Sequence, residues 1–281
     1  MVPAMNPTPE HQGPLVIVFG NEKGGTGKST LAMHLAAALM VRGAKVTTVD
    51  LDAAQGTLTR YLHNRGELAR RTGRHLPMPT HAIVHAAEHQ GADEAEFVKV
   101  LGAASDSDVV IVDTPGHASA LSLAGHSYAD IIVTPLNDSL IDLDVLARVD
   151  PASLRVKSPS HYAERIWKAK QQRARRDGGS VDWVVVRNRV GALDARNKRR
   201  MAGLLDELGK RIGCRIADGI GERVIFRELF LDGLTVEDLS ADTDKGRMAL
   251  SHVAARAEIR TLLAVLGLND RTWKPRPNAL S

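Results

Sequence analysis

Leu15-Val-Ile-Val-Phe-Gly-Asn-Glu-Lys-Gly-Gly-Thr-Gly-Lys-Ser-Thr30 carries the reading on which the rest of the chain depends. Leu15 to Phe19 is a continuous apolar run with β-branched residues, the pattern of a strand buried on both faces. Ser29 to Arg42 then places apolar and small residues at helical spacing until Gly43 stops it. A strand, a glycine-rich turn, Lys-Ser-Thr and a helix together form the context of a phosphate-binding loop. Gly24, Gly25 and Gly27 let the backbone turn so that its N–H groups wrap phosphate oxygens. The helix N-terminus at Lys28 and Ser29 adds its dipole. Lys28 reaches the β- and γ-phosphates, and the Ser29 hydroxyl holds Mg²⁺.

The pattern repeats down the chain. Lys45 to Asp50, Val109 to Val112, Ile131 to Val133 and Trp183 to Val186 read as further strands. Helical patterns separate them, among them Glu94 to Ala104 and Leu193 to Lys210. Strand–helix alternation implies an α/β fold of the P-loop NTPase kind, a mostly parallel twisted sheet flanked by helices on both faces. Ligands of such sheets bind beyond the carboxyl ends of the strands. One domain over residues 15–268 is expected, with tails at 1–14 and 269–281 whose prolines and polar residues suggest disorder. Residues 63–91 fit least well, and we expect an insertion there. Its His81, His85 and His89 are spaced as on one solvated helical face, without the carboxylate or cysteine that would complete a metal site.

Composition narrows the function. A single cysteine, Cys214, excludes an intramolecular disulfide and any cluster built on several thiolates of one chain. No run approaches the ~20 apolar residues that span a bilayer, and the first residues lack the basic start and apolar core of a signal peptide. A cytoplasmic protein is expected. Met248 to Leu266 is amphipathic, and core packing explains its apolar stripe better than a membrane does. The net charge of +4 is unevenly spread. Arg155 to Arg215 holds 17 Lys or Arg against 6 Asp or Glu, a surplus of 11, which leaves the rest of the chain at −7. A basic block on an acidic body suits a polyanionic partner.

Lys23 sharpens the reading. It stands before the glycine pair, giving KGGTGKST, and here the chain resembles the deviant Walker A family that includes ParA, MinD and the nitrogenase iron protein. The resemblance implies ATP with Mg²⁺ as cofactors, ATP hydrolysis as the reaction, and a homodimer when ATP is bound. Lys23 would reach the partner's nucleotide phosphates. It further implies a nucleotide-binding set of Asn21, Lys23, Gly24, Gly25, Thr26, Gly27, Lys28, Ser29 and Thr30. The family's D-x-D motif matches Asp50 and Asp52 in VDLDAAQG: the first supports Mg²⁺ and the second orients the attacking water. Asp113, in VVIVDTPG, falls where a Walker B carboxylate completes the metal set of Ser29, Asp50 and Asp113. Gly116 gives the next loop freedom to sense the γ-phosphate. Asn188, in VVVRNR, matches the family asparagine that contacts adenine. Lys23, Lys28 and Asp52 are then the catalytic residues.

Within that family the chain is most similar to the MipZ branch. The segments that carry this are GNEKGGTGKST, TPLNDSLIDLDVLARVDP, DWVVVRNRVGALDARNKRR and RVIFRELFLDGLT. One position departs: Ala54 stands before Gln55 where that branch has an arginine. The resemblance implies ParB, FtsZ and nonspecific DNA as partners, a nucleoid-associated location and no membrane. On the Leu193–Lys210 helix, Met201, Leu204, Leu205 and Leu208 form an apolar face. Arg196 and Arg199 lie roughly opposite it and Arg200 at its edge, so with Lys198 they are the expected DNA-binding residues. A ParA-type partition ATPase is the alternative. A P-loop ligase or kinase on a small metabolite is a third, and no substrate-pocket motif speaks for it.

Overall fold

Alternation along the first strand sets the layers. The computed structural model describes residues 13–86, 91–150, 156–191, 195–239 and 250–273. In order these form β1 (Leu15–Phe19), α1 (Lys28–Val41), β2 (Val46–Asp50), α2 (Thr57–Thr72), β3 (Thr80–Ile83), α3 (Ala92–Ala103), β4 (Val109–Asp113), α4 (Ala120–Tyr128) and β5 (Ile131–Asn137). They continue through β6 (Ala147–Val149), β7 (Val156–Pro159), α5 (His161–Asp177), β8 (Asp182–Asn188), α6 (Ala195–Ile212), β9 (Arg215–Ala217), α7 (Ile225–Leu231) and α8 (Leu250–Val265). Val16 and Val18 pack into one core cluster and Ile17 and Phe19 into another, as period-two side chains must. The first cluster takes in Phe97 of α3, Leu121 of α4, Ile166 of α5 and Leu205 of α6. The second takes in Leu35 of α1, Leu229 of α7 and Ile259 of α8.

The main sheet has seven strands in the order β3-β2-β4-β1-β5-β8-β9, all parallel. The chain runs outward from β1 to β2 and β3, returns through β4, and then builds the other side from β5. That reversal falls at β1, so the crevice beyond its carboxyl end is where such a sheet binds ligands. The fold is the expected α/β P-loop NTPase fold, with helices on both faces. β6 and β7 make a small antiparallel hairpin beside it.

Two edge strands were not expected, and one of them overturns the helical reading of the histidine-rich stretch. Thr80–Ile83 pairs with β2 as a fourth strand on that side, placing His81 opposite Thr48. Pro77 and Pro79 remove the N–H groups a helix would need there, and Thr80 and Ile83 favour a pleated backbone. The helix of this region lies earlier, at Thr57–Thr72, and His85 is exposed outside any element. His89 falls outside the described residues. α2 is fastened by Arg65, fully buried, whose guanidinium forks onto Asp238 at 2.7 and 2.8 Å.

The long helices run close to the expected spans. α6 buries Met201, Leu205 and Leu208 as its apolar face requires. α8 buries Ile259, Leu262 and Leu263, each contributing roughly 1.5–3 kcal/mol over exposure, while Val253 stays half exposed. Among the described residues no helix is long and apolar enough to cross a membrane.

Candidate nucleotide site

The crevice beyond β1 holds the loop that opened the sequence. Gly20 donates its N–H to Val133 at 3.0 Å, anchoring the loop's start to β5. Asn21 is fully buried. Its Nδ2 donates to the Pro135 carbonyl at 2.6 Å, and its Oδ1 accepts the Lys23 N–H at 2.8 Å. Expected in the nucleotide-binding set, it works inside the protein, holding the loop to β5. The loop ends at Gly27, which N-caps α1 with φ of 93° and no side-chain cap. A Cβ at Gly27 would stand 2.3 Å from Asn188 Nδ2, so a glycine is required on both counts.

A cavity of about 510 Å³ lies against this turn. Gly24, Gly25, Thr26, Gly27, Lys28, Ser29 and Thr30 form one wall, and Asp52, Ala54, Gln55 and Thr57 the wall opposite. Gly116 closes an end. Its Cβ position falls 3.1 Å from Gly24 Cα, so the loop after β4 approaches the phosphate loop as closely as backbone allows. His117 and Arg189 also line the cavity, and neither was among the expected residues. Each directly follows a residue singled out in the sequence, Gly116 and Asn188.

The charges follow from burial. Lys28 is buried, and loss of water lowers its pKa, opposed by the negative charges of Asp113 and Asp52. Its Nζ donates to the Lys23 carbonyl at 3.3 Å. Asp113 sits beneath Ser29, fully buried. Burial pushes its carboxyl up to about 7 against the hydrogen bond from Ser29, and nearby Asp50 pushes the same way as burial. Its Oδ1 is buried without a hydrogen-bond partner. An unsatisfied carboxylate oxygen beside a hydroxyl suits a hard divalent cation such as Mg²⁺, which removes the cost of the lone charge.

Asp50 lies beside Asp113 in the sheet register. Its two oxygens are already used: Oδ1 accepts the Asp52 N–H at 2.9 Å, and Oδ2 accepts the Thr59 N–H at 3.1 Å and hydroxyl at 2.7 Å. It therefore ties the Asp52 loop to the start of α2. Asn188 donates from Nδ2 to the Thr26 carbonyl at 2.7 Å, and its Oδ1 accepts the Arg189 N–H at 2.9 Å. Arg189 is held at φ of 53°, the sole non-glycine positive φ among the described residues. Asn188 and Arg189 also line a smaller cavity of about 70 Å³ with Ile220 and Phe226, continuous in sequence with the phosphate wall through Gly27 and Thr30.

Lys23 does not line the phosphate cavity. Its ammonium is paired with Asp142, a buried carboxylate on the 3₁₀ turn Leu140–Val145 after β5. Arg196, Lys198, Arg199 and Arg200 occupy the first turns of α6, which follows the carboxyl end of β8. Their side chains lie outside the described residues.

Comparison with known proteins places this architecture. The family model described as ATPase MipZ matches residues 15–270. The chain belongs to the MipZ family of ATPases. Protein ParA of Rhizobium radiobacter is 30% identical over 133 residues, 47% of this chain and 53% of that protein, so the match spans about half of that relative. The ATP complex of Cyanothece McdA(D38A) superposes with a TM-score of 0.59 at 17% identity, over 93% of this chain and 99% of that one. Cobyrinic acid a,c-diamide synthase from Mycobacterium smegmatis, bound to an ATP analogue and magnesium, gives 0.57 at 19% identity, over 93% and 100%. A synthase shares the fold, so the fold alone does not separate a switch from a metabolic enzyme.

Proposed function

We propose that this MipZ-family ATPase is an ATP-driven dimerisation switch that positions the division site, inhibiting FtsZ assembly, binding DNA without sequence preference and interacting with ParB. The observation that carries this is the placement of Lys23. Two lysines flank the same loop, yet Lys28 faces the phosphate cavity and Lys23 points away to Asp142. A second cation turned from its own nucleotide suits one that serves a partner's, which is the role the deviant Walker A motif implies.

Within the monomer, Lys28 and the glycine loop hold the β- and γ-phosphates of ATP. Ser29 and Asp113 would hold Mg²⁺, with the charge of Asp50 nearby, while Asp50 fixes the Asp52 loop. When bound, the ion neutralises phosphate charge. Asp52 orients the water, and Gly116 lets its loop follow the γ-phosphate. Asn188 and Arg189 border the base. Positioning of this kind supplies most of the rate in phosphoryl transfer. In the dimer, the first turns of α6 from both copies present Arg196, Lys198, Arg199 and Arg200 on one surface, doubling the phosphate contacts that a monomer offers. This gives nucleoid association without a membrane anchor.

The test is FtsZ polymerisation followed by light scattering, with this protein added in ATP, in ADP or without nucleotide. The reading expects shortened or reduced polymer in ATP alone, together with retention on nonspecific DNA under the same condition. DNA retention with unaltered FtsZ assembly would instead favour a ParA-type partition ATPase.

A further inference from the structure

We propose that His81 is a positioning residue for hydrolysis, holding the Asp52 loop in place through Thr59 and Asp50. The inference rests on the reading of Asp52 as the residue that orients water. It also gives a role to one member of the histidine-rich stretch, which the nucleotide site otherwise leaves unused.

Proton counting fixes the direction of the chain of bonds. Asp50 Oδ2 accepts from Thr59 Oγ1 at 2.7 Å. A hydroxyl has one proton, and this one is committed to the carboxylate. Thr59 Oγ1 also lies 3.0 Å from His81 Nε2, so here the hydroxyl accepts and Nε2 must carry the hydrogen. In the neutral ring Nδ1 is then bare and can only accept, so the one hydrogen of the Thr48 hydroxyl turns to it at 3.0 Å in preference to the Thr80 carbonyl at 3.3 Å. Thr48 sits opposite His81 in the β2–β3 register, so the ring is gripped at both nitrogens by groups on two different elements. Burial lowers the His81 pKa, against the pull of Asp50, which favours this neutral form.

The consequence lies at the other end. Thr59 is fixed by its own N–H and its hydroxyl to Asp50 Oδ2, and Asp50 Oδ1 receives the Asp52 N–H at 2.9 Å. The turn that follows is short: Gln55 and Gly56 donate to the Asp52 carbonyl at 3.0 and 2.7 Å. Asp52 and Gln55 line the phosphate cavity, while His81 does not. An edge strand that does not line the cavity thus bears on the orientation of the loop that does. Losing the Nε2–H leaves the Thr59 hydroxyl free to rotate away from Asp50, and the Asp52 amide then loses a fixed acceptor. Misplacement of a water-orienting group at a reacting centre is felt in the rate and much less in binding.

His81→Leu, Thr59→Val and His81→Gln test this together, since Gln restores a donor near the Nε2 position. Single-turnover hydrolysis at saturating Mg-ATP should fall about tenfold in the first two, equivalent to roughly 1.4 kcal/mol. ATP affinity should stay nearly unchanged in both, and Gln should return most of the rate. Amide hydrogen exchange at Asp52, measured in nucleotide-free protein, should quicken in Leu and Val and slow again in Gln. A Leu variant with wild-type rate and wild-type exchange would overturn the proposal. So would equal losses of rate, affinity and stability that Gln does not repair, which would mark His81 as packing only. If the wild type hydrolyses no ATP, the reading of the site fails, and the exchange measurement still decides whether His81 holds the loop.

Discussion

Acid should loosen this protein through two buried imidazoles. His34 on α1 and His126 on α4 are both buried, and loss of water lowers each pKa to about 4. Each Nε2 lacks a hydrogen-bond partner. His34 packs edge-on against Phe226 at 5.0 Å, and His126 against Tyr162 at 5.8 Å. A folded pKa depressed from 6.5 means stability that is complete above 6.5 and is lost as pH falls toward 4. From pH 7 to pH 5 each ring removes about 2 kcal/mol, or about 4 together. Asp113 acts in the opposite sense. Its folded pKa of about 7 means stability that grows as pH falls from 7 toward 3.8, about 2 kcal/mol over the same interval. The histidines win, and the pair plus Asp113 leave a net loss of about 2 kcal/mol. The assay is urea unfolding at pH 7 and pH 5, at fixed ionic strength and without Mg²⁺ or nucleotide. His126→Gln removes one of the two titrations, so its loss on acidification should be about 2 kcal/mol smaller than the wild type's. Comparing changes with pH cancels any packing defect the substitution introduces. Parallel losses in wild type and variant would refute the assignment of His126 as a buried neutral ring.

Three further outcomes follow from single contacts. Arg65→Ala leaves Asp238 buried without its fork, so chemical denaturation should show a loss of about 3–5 kcal/mol. Asp52→Ala should still bind ATP and dimerise yet hydrolyse one or more orders of magnitude more slowly, read by phosphate release. Arg196→Ala with Arg200→Ala should weaken DNA binding in the ATP-bound state and flatten its salt dependence by nearly one log unit per lost phosphate contact in each copy. Turnover without DNA should be unchanged, and fluorescence anisotropy at two salt concentrations measures the first effect.

Much of this was legible because the decisive signals are local. β1, the phosphate loop and α1 fall within a residue or two of the expected bounds, since an apolar run, glycines and Lys-Ser-Thr need no distant partner to be read. Edge strands were not legible. β3 presents Thr80 and His81, and β9 begins with Arg215, so neither offers the apolar run by which buried strands are found. Proline punctuation at 77 and 79 was the available clue, outweighed by a histidine spacing that a strand does not use. α5 hid for a related reason. Its inward face is Tyr162, Ala163, Ile166, Ala169 and Arg173, and the last is a buried cation held by Asp130 at 2.8 Å, which reads as solvated surface. At the site, motif spacing located Asp50, Asp113 and Asn188 but not their bonds. The grip of Asn188 on Thr26 and of Asp142 on Lys23 joins residues more than a hundred positions apart, and only the folded sheet brings them together.

The central claim is that Lys23 serves a second copy's nucleotide and not its own. Sedimentation velocity with ATP and Mg²⁺, run beside ATP affinity measured on the same Lys23→Ala protein, tests it most directly. The account predicts a wild type that becomes dimeric in ATP, and a variant that remains monomeric while its monomer binds ATP about as tightly as before. A variant that dimerises normally, or one whose only defect is weaker ATP binding by the monomer, would contradict it.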